Sequence, residues 1–95
     1  MRVVGKEKVD DYVKRYSECR RAVMSLILEI ESAEWNTPHD ITAHYPKASI
    51  IGNTNVVFNI CGNKYRLWLK ITYKTGIVII KNIGTHKEYD RWEIE

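Results

Sequence analysis

Residues 56–83, VVFNICGNKYRLWLKITYKTGIVIIKNI, decide the fold. Three apolar runs, Val56–Ile60, Tyr65–Tyr73 and Ile77–Ile83, are separated by Gly62-Asn63 and Thr75-Gly76. β-Branched and aromatic side chains favour extended backbone, and Gly and Asn tolerate the positive φ of tight reversals. Connections this short join antiparallel neighbours, so the stretch predicts a three-stranded meander. The last run is nearly all Ile and Val, the pattern of a strand covered on both faces.

Helical periods precede the sheet. Val9, Tyr12, Val13 and Tyr16 recur at i, i+3, i+4 and i+7, with charged neighbours for a solvent face. Ser17 marks a turn, and a second helix is expected from about Glu18 to Glu34. Its buried stripe is Val23, Leu26, Ile27 and Ile30, widened by Met24 and Leu28. Asn36-Thr37-Pro38 is read as its end, because proline cannot continue a helix and restricts the residue before it. His39 to Lys47 reads as an irregular connection closed by Pro46. Arg2–Val4 is a short β-prone start cut off by Gly5, and after Gly84-Thr85 the segment His86–Trp92 is expected to form a last helical turn. The predicted fold is α+β, in the order β-α-α-β-β-β. Two helices pack on one face of a small, mainly antiparallel, twisted sheet that the N-terminal strand joins. Residues 1–95 read as a single domain without repeats or linkers.

Composition narrows the class. The chain has 95 residues, 44% hydrophobic and 28% charged, values of a globular protein rather than a disordered one. No run approaches the roughly 20 apolar residues of a membrane span. Met1–Asp10 is too charged for a signal peptide, so a cytoplasmic location without membrane contact is expected. Cys19 and Cys61 lack the spacing of a zinc site or a disulfide framework and read as free thiols. Net charge is +3, which decides little by itself, but its distribution is uneven. From Ala43 to Asn82 there is no Asp or Glu, while Lys47, Lys64, Arg66, Lys70, Lys74 and Lys81 fall inside. A polyanion is the natural partner of that half.

The period of two divides the middle strand into faces. Tyr65, Leu67, Leu69 and Ile71 point to the helices; Lys64, Arg66, Trp68 and Lys70 point away. Residues two apart on a strand are roughly 6.5–7 Å apart, close to the spacing of phosphates along a nucleic-acid strand. Trp68 among those cations offers a stacking surface for an unpaired base. Val56, Phe58 and Ile60 form an apolar face, which places Asn59 on the basic one. Lys81 and Lys87 are further candidates for RNA contact. The same pattern also suits a solvated outer face, an RNA- or ribosome-binding module that does not cut, or a protein-interaction surface anchored by Trp68 and Arg66. His86 stands where the last strand leaves the sheet, with Tyr89 one turn on. Imidazole is the commonest general acid or base. His39 and His44 lie in the connection, and three scattered histidines make no metal site.

Several segments together carry a resemblance. Trp35-Asn36-Thr37-Pro38, Tyr45-Pro46-Lys47-Ala48-Ser49-Ile50, Val57-Phe58-Asn59-Ile60, Gly62-Asn63-Lys64-Tyr65-Arg66-Leu67 and Gly84-Thr85-His86-Lys87-Glu88-Tyr89-Asp90 resemble the HigB family of type II toxin–antitoxin toxins. They do so in order and spacing over nearly the whole chain. The resemblance implies the RelE-like fold and an endoribonuclease that cuts ribosome-bound messenger RNA through the RNA's own 2′-hydroxyl. It implies no cofactor or metal, and neutralisation by a helix-turn-helix, HigA-like antitoxin that alone contacts operator DNA. Arg66 takes the place of the conserved arginine and would stabilise charge on the phosphate. His86 is the candidate acid or base, and Tyr89 would orient the phosphate or stack on a base. Lys64 and Lys70 would bind backbone or assist proton transfer. Related toxins carry a basic residue where this chain has Asn55, which throws more of the phosphate binding onto Lys64 and Lys70.

Overall fold

The computed structural model describes residues 1–94. Its elements are β1 (Arg2–Val4), α1 (Lys6–Arg15), a 3₁₀ turn (Ser17–Cys19), α2 (Arg20–Ser32), α3 (Pro38–His44), β2 (Ser49–Ile51), β3 (Asn55–Ile60), β4 (Tyr65–Thr72), β5 (Ile77–Thr85) and α4 (His86–Tyr89). The strands form one sheet in the order β1-β5-β4-β3-β2. β2 to β5 run antiparallel as the turn residues require, and β1 lies parallel to β5, pairing Arg2 with Ile77. The α+β class and the meander agree with the sequence reading; one short helix and one short strand are additional.

The extra helix has a clear cause. Thr37 accepts a hydrogen bond from the Asp40 amide, and the Asp40 carboxylate accepts from the Thr37 amide, so the pair forms a capping box with Pro38 just inside. Proline at the first helical position lacks only a donor that would go unused there. Pro38 therefore starts a helix, and α2 stops earlier, at Ser32. The segment read as irregular seats Ile41 fully in the core, in the same cluster as the stacked rings of Trp35 and Phe58.

The core lies between the helices and one face of the sheet. Val9, Tyr12 and Val13 of α1 and Val23, Leu26, Ile27 and Ile30 of α2 are buried there. Leu28 is 67% exposed, outside the stripe it was expected to widen. Against them stand Val56, Phe58 and Ile60, then Leu67, Leu69 and Ile71, then Val78, Ile80 and Ile83. Each such side chain contributes about 1.5–3 kcal/mol on burial. Where β1 turns into α1, Gly5 has φ +92° and a side chain there would lie 3.2 Å from the Ile80 carbonyl oxygen. Only glycine meets both demands without strain.

The spacing of Ile80 and Ile83 reveals an irregularity in β5. Trp68 pairs with Asn82 and Leu69 with Ile80, so Lys81 is an extra residue, a β-bulge. The bulge reverses the strand's parity and keeps Ile83 in the core. β5 is therefore not covered on both faces: Ile79 is 41% exposed, because the helices occupy one side only. Among the described residues no helix is long and apolar enough to cross a membrane.

Candidate active site

The face away from the helices carries the polar residues. Register sets Asn59 opposite Arg66 and Arg66 opposite Gly84, so the three lie abreast. Arg66 is only 8% exposed. Its Nη1 donates to the carbonyls of Asn63 (2.8 Å) and Tyr65 (3.2 Å), and its Nη2 lies 2.9 Å from Nδ1 of His86. These bonds compensate the desolvation of a charge that would otherwise be costly to bury. The guanidinium carbon also sits 5.5 Å from the centre of the Tyr89 ring, within cation–π reach.

A guanidinium can only donate. His86 Nδ1 is therefore the acceptor, and in this arrangement the ring proton belongs on Nε2. Nε2 lies 4.0 Å from Asp90 Oδ2, and both side chains are exposed. His86 thus presents its proton-bearing edge to solvent while its other nitrogen is engaged by a cation.

The position of His86 follows from the way β5 becomes α4. Its amide donates to the Lys64 carbonyl (2.9 Å). Thr85 accepts from the Glu88 amide (3.2 Å), and Glu88 Oε1 accepts from the Thr85 amide (3.1 Å) and from the Tyr12 hydroxyl (3.2 Å). Gly84 permits the close seating: a side chain there would lie 2.9 Å from Trp92 Cζ2 and 3.1 Å from Glu88 Cβ. The Thr85 amide, with the Thr85 and Tyr12 hydroxyls, holds the Glu88 carboxyl below the usual carboxylate range, against the opposing effect of burial. Burial, reinforced by the Glu88 charge, pushes the Tyr12 phenol up, so it stays the donor.

That arrangement has a pH signature. A carboxyl whose folded pKa is depressed contributes stability above its ordinary range and loses it as pH falls through the folded value. Glu88→Gln is expected to cost about 0.5–1 kcal/mol at neutral pH, the size of a capping contribution at a largely exposed site. The gap from the parent protein should close in acid. Urea unfolding at pH 7 and pH 3 measures it; a gap independent of pH would mean that the ionised carboxylate is not what secures the turn.

Further along the face, Trp68 Nε1 donates to Asn55 Oδ1 (2.9 Å). Asn55 is buried, and its side chain orients the indole. Trp68 is half-buried rather than bare, because the Trp92 ring lies 6.1 Å away at 31°. Trp92 in turn meets Tyr89 edge-on at 5.6 Å, so an aromatic row connects Trp68 to the ring above Arg66. The bulged Lys81 places its ammonium 5.9 Å from the Trp68 ring centre. Lys70, Lys81 and Glu93 flank Trp68 and Asn55 around a hollow of about 150 Å³.

One expected member is placed differently. Lys64 lies in the β3–β4 turn and reaches Glu18, 3.9 Å away, instead of continuing the row. Glu18 also accepts from the Tyr65 hydroxyl (2.5 Å), which pushes that phenol up to about 12. The expected row of three cations is thus broken: Arg66 is buried, Lys64 turns back toward Glu18, and Lys70 remains exposed with Lys81 added by the bulge. Lys87 is exposed on α4, and Asn59 donates to the Asn63 side chain (3.3 Å). Among the described residues no three His, Cys, Asp or Glu gather as metal ligands. Sequence reasoning missed Asn63, Glu88 and Trp92, and gave Asn55 only as a place where a cation is lacking. Only Glu88 had a legible signal, the Thr85-x-x-Glu88 spacing of a capping box.

Known proteins resemble the chain over most of its length. The chain is 24% identical over 93 residues to a protein of Escherichia coli O6:H1 named mRNA interferase HigB, covering 96% of this chain and 90% of that one. It is 23% identical over 92 residues to the mRNA interferase toxin HigB of E. coli K12 and to mRNA interferase HigB of Shigella flexneri, covering 95% of this chain and 88% of each. The family model of HigB toxins matches residues 19–92, a span that holds Arg66, His86 and Tyr89, and the chain therefore belongs to the HigB toxin family, the RelE-like toxic component of a toxin–antitoxin system.

Proposed function

We propose that this toxin is an endoribonuclease that cuts ribosome-associated messenger RNA by attack of the RNA's 2′-hydroxyl on the adjacent phosphate. One observation carries the reading: a buried guanidinium and an exposed imidazole meet at 2.9 Å on the open face of the sheet. A phosphate-binding charge and a proton-transfer group thus stand at one point. The names of the relatives support the reaction class.

In this reaction the 2′-oxygen forms a bond to phosphorus and the P–O5′ bond breaks. One proton leaves the 2′-hydroxyl and one reaches the 5′-oxygen. The products are a 2′,3′-cyclic phosphate and a 5′-hydroxyl. Arg66 binds a non-bridging oxygen and stabilises the charge that builds there. When its Nη2 turns to the phosphate, His86 Nδ1 is released to take a proton, which makes the ring a proton carrier at the moment it is needed. Tyr89 orients the phosphate or stacks on a base, and Lys70 offers a second cation for backbone or proton transfer. Trp68, Lys81, Asn59 and Lys87 contact the RNA, with Lys64 at the periphery. The nucleophile belongs to the substrate, so the scheme calls on no metal or cofactor. Residues 1–95 act as one toxin domain in the cytoplasm, neutralised by a cognate helix-turn-helix antitoxin through which alone operator DNA is reached.

Mapping mRNA ends by primer extension in a cell-free translation reaction tests this. Discrete cuts that need translation, that end in cyclic phosphate, and that vanish when the nucleotide 5′ of the cut is 2′-deoxy are expected. Intact message despite salt-sensitive RNA binding would assign the basic face to binding without cutting.

A further inference from the structure

β2 covers only part of β3. Their register ends at Ser49 opposite Val57, so the outer edge of Phe58–Ile60 faces the segment that precedes β2. Between them runs an open groove of about 510 Å³, within the roughly 300–1,000 Å³ of small-ligand sites. Its chemistry comes from His44, Tyr45, Lys47, Phe58, Asn59 and Asn63. The exposed His44 ring lies 4.2 Å from the Tyr45 ring at 32°. Tyr45 is held edge-on to Phe58 (5.2 Å) and Trp35 (6.1 Å), and its hydroxyl bonds to Glu29. This aromatic wall is fixed before any ligand arrives.

The opposite wall is amide. The Asn59 Nδ2 to Asn63 Oδ1 bond leaves Asn59 Oδ1 and Asn63 Nδ2 out of it, an acceptor and a donor side by side. The groove also adjoins the site already described. The Asn63 carbonyl holds Arg66 Nη1 at 2.8 Å, and Asn59 stands opposite Arg66 in the ladder. Among the described residues Lys47 lines the groove and no carboxylate does.

We propose that this groove is a base-binding subsite for the unpaired nucleotide next to the phosphate that Arg66 holds. The inference rests on the ribonuclease reading above. The base stacks on the His44–Tyr45 pair, its edge is read by Asn59 and Asn63, and Lys47 meets the adjoining phosphate. Unpaired RNA is recognised in this way, by stacking on fixed rings and by hydrogen bonds to an exposed base edge. Charge and continuity favour RNA over a peptide strand on the β3 edge, since cation and amides point to a polyanion with polar bases.

The test maps cuts across a long message in cell-free translation for the parent protein, His44→Ala, Asn63→Ala and Lys47→Ala, with thermal unfolding as a control on folding. The parent should prefer particular bases at one fixed position beside the cut. In His44→Ala and Asn63→Ala, that preference should fall about tenfold among the cuts that are made, whatever their total rate, while preferences elsewhere stay. Lys47→Ala, an exposed change that does not depend on ring packing, should make cutting of the message less sensitive to salt. Unaltered preferences in folded variants overturn the subsite, as does a parent profile with no preference at any fixed position. Variants that keep full preference but escape their antitoxin would make the groove a protein edge and overturn it too. A parent protein that makes no cuts overturns the ribonuclease reading itself, an outcome visible in the first lane.

Discussion

Arg66→Ala is expected to lower the rate of mRNA cleavage about 10²–10³-fold, the loss seen when a donor aimed at developing negative charge is removed. Arg66→Lys should recover little of it. The guanidinium engages the Asn63 and Tyr65 carbonyls and His86 together, and an ammonium on a flexible stem cannot reproduce that fork or its fixed plane under Tyr89. Arg66 is buried and donates to the Asn63 and Tyr65 carbonyls, so its removal takes a donor from each, and some loss of stability accompanies the loss of rate. Single-turnover rates read beside thermal unfolding separate the two. Full activity in a folded Arg66→Ala protein would move charge stabilisation elsewhere on the face and undo the assignment of the site.

His86→Gln should cost about 10²-fold or more, within the usual range of general acid–base catalysis. Glutamine keeps an acceptor for Arg66 but neither takes up nor releases a proton at ordinary pH. It therefore distinguishes proton transfer from mere positioning of the guanidinium. His86 is exposed, and stability should change by no more than about 0.5 kcal/mol. The informative readout is the pH dependence of the chemical step: the limb that belongs to the imidazole should vanish in His86→Gln. Retention of both rate and pH profile would pass the proton-transfer role to Tyr89 or Lys70.

The same geometry explains why two residues 20 apart in sequence meet. Arg66 leaves β4 opposite Gly84, and the chain needs only Thr85 before α4 begins at His86. Anything that loosens α4, including loss of the Glu88 cap, should therefore reach the Arg66–His86 contact before it reaches the core. Tyr12 extends that dependence to α1, through its bond to Glu88.

By itself the sequence determined the meander, the buried stripe Val23, Leu26, Ile27 and Ile30, the joining of the first strand to the sheet, and the shared face of Asn59 and Arg66; that the first strand lies parallel came only from the structure. The features legible in the sequence are written in short-range periods and turn residues, which local sterics and burial enforce wherever the chain lies. The role of Pro38 was not legible, because a proline can stand just after one helix or just inside the next, and here the Asp40 cap selects the second. Nor could alternation reveal that Lys81 is bulged, since a single extra residue changes the parity of everything beyond it. The burial of Arg66, the turning of Lys64 toward Glu18, the Arg66–His86 contact and the groove beside β3 were decided only by tertiary structure. Each depends on distances between segments far apart in the chain, and those distances are set by register, bulge and capping together rather than by any local run of residues.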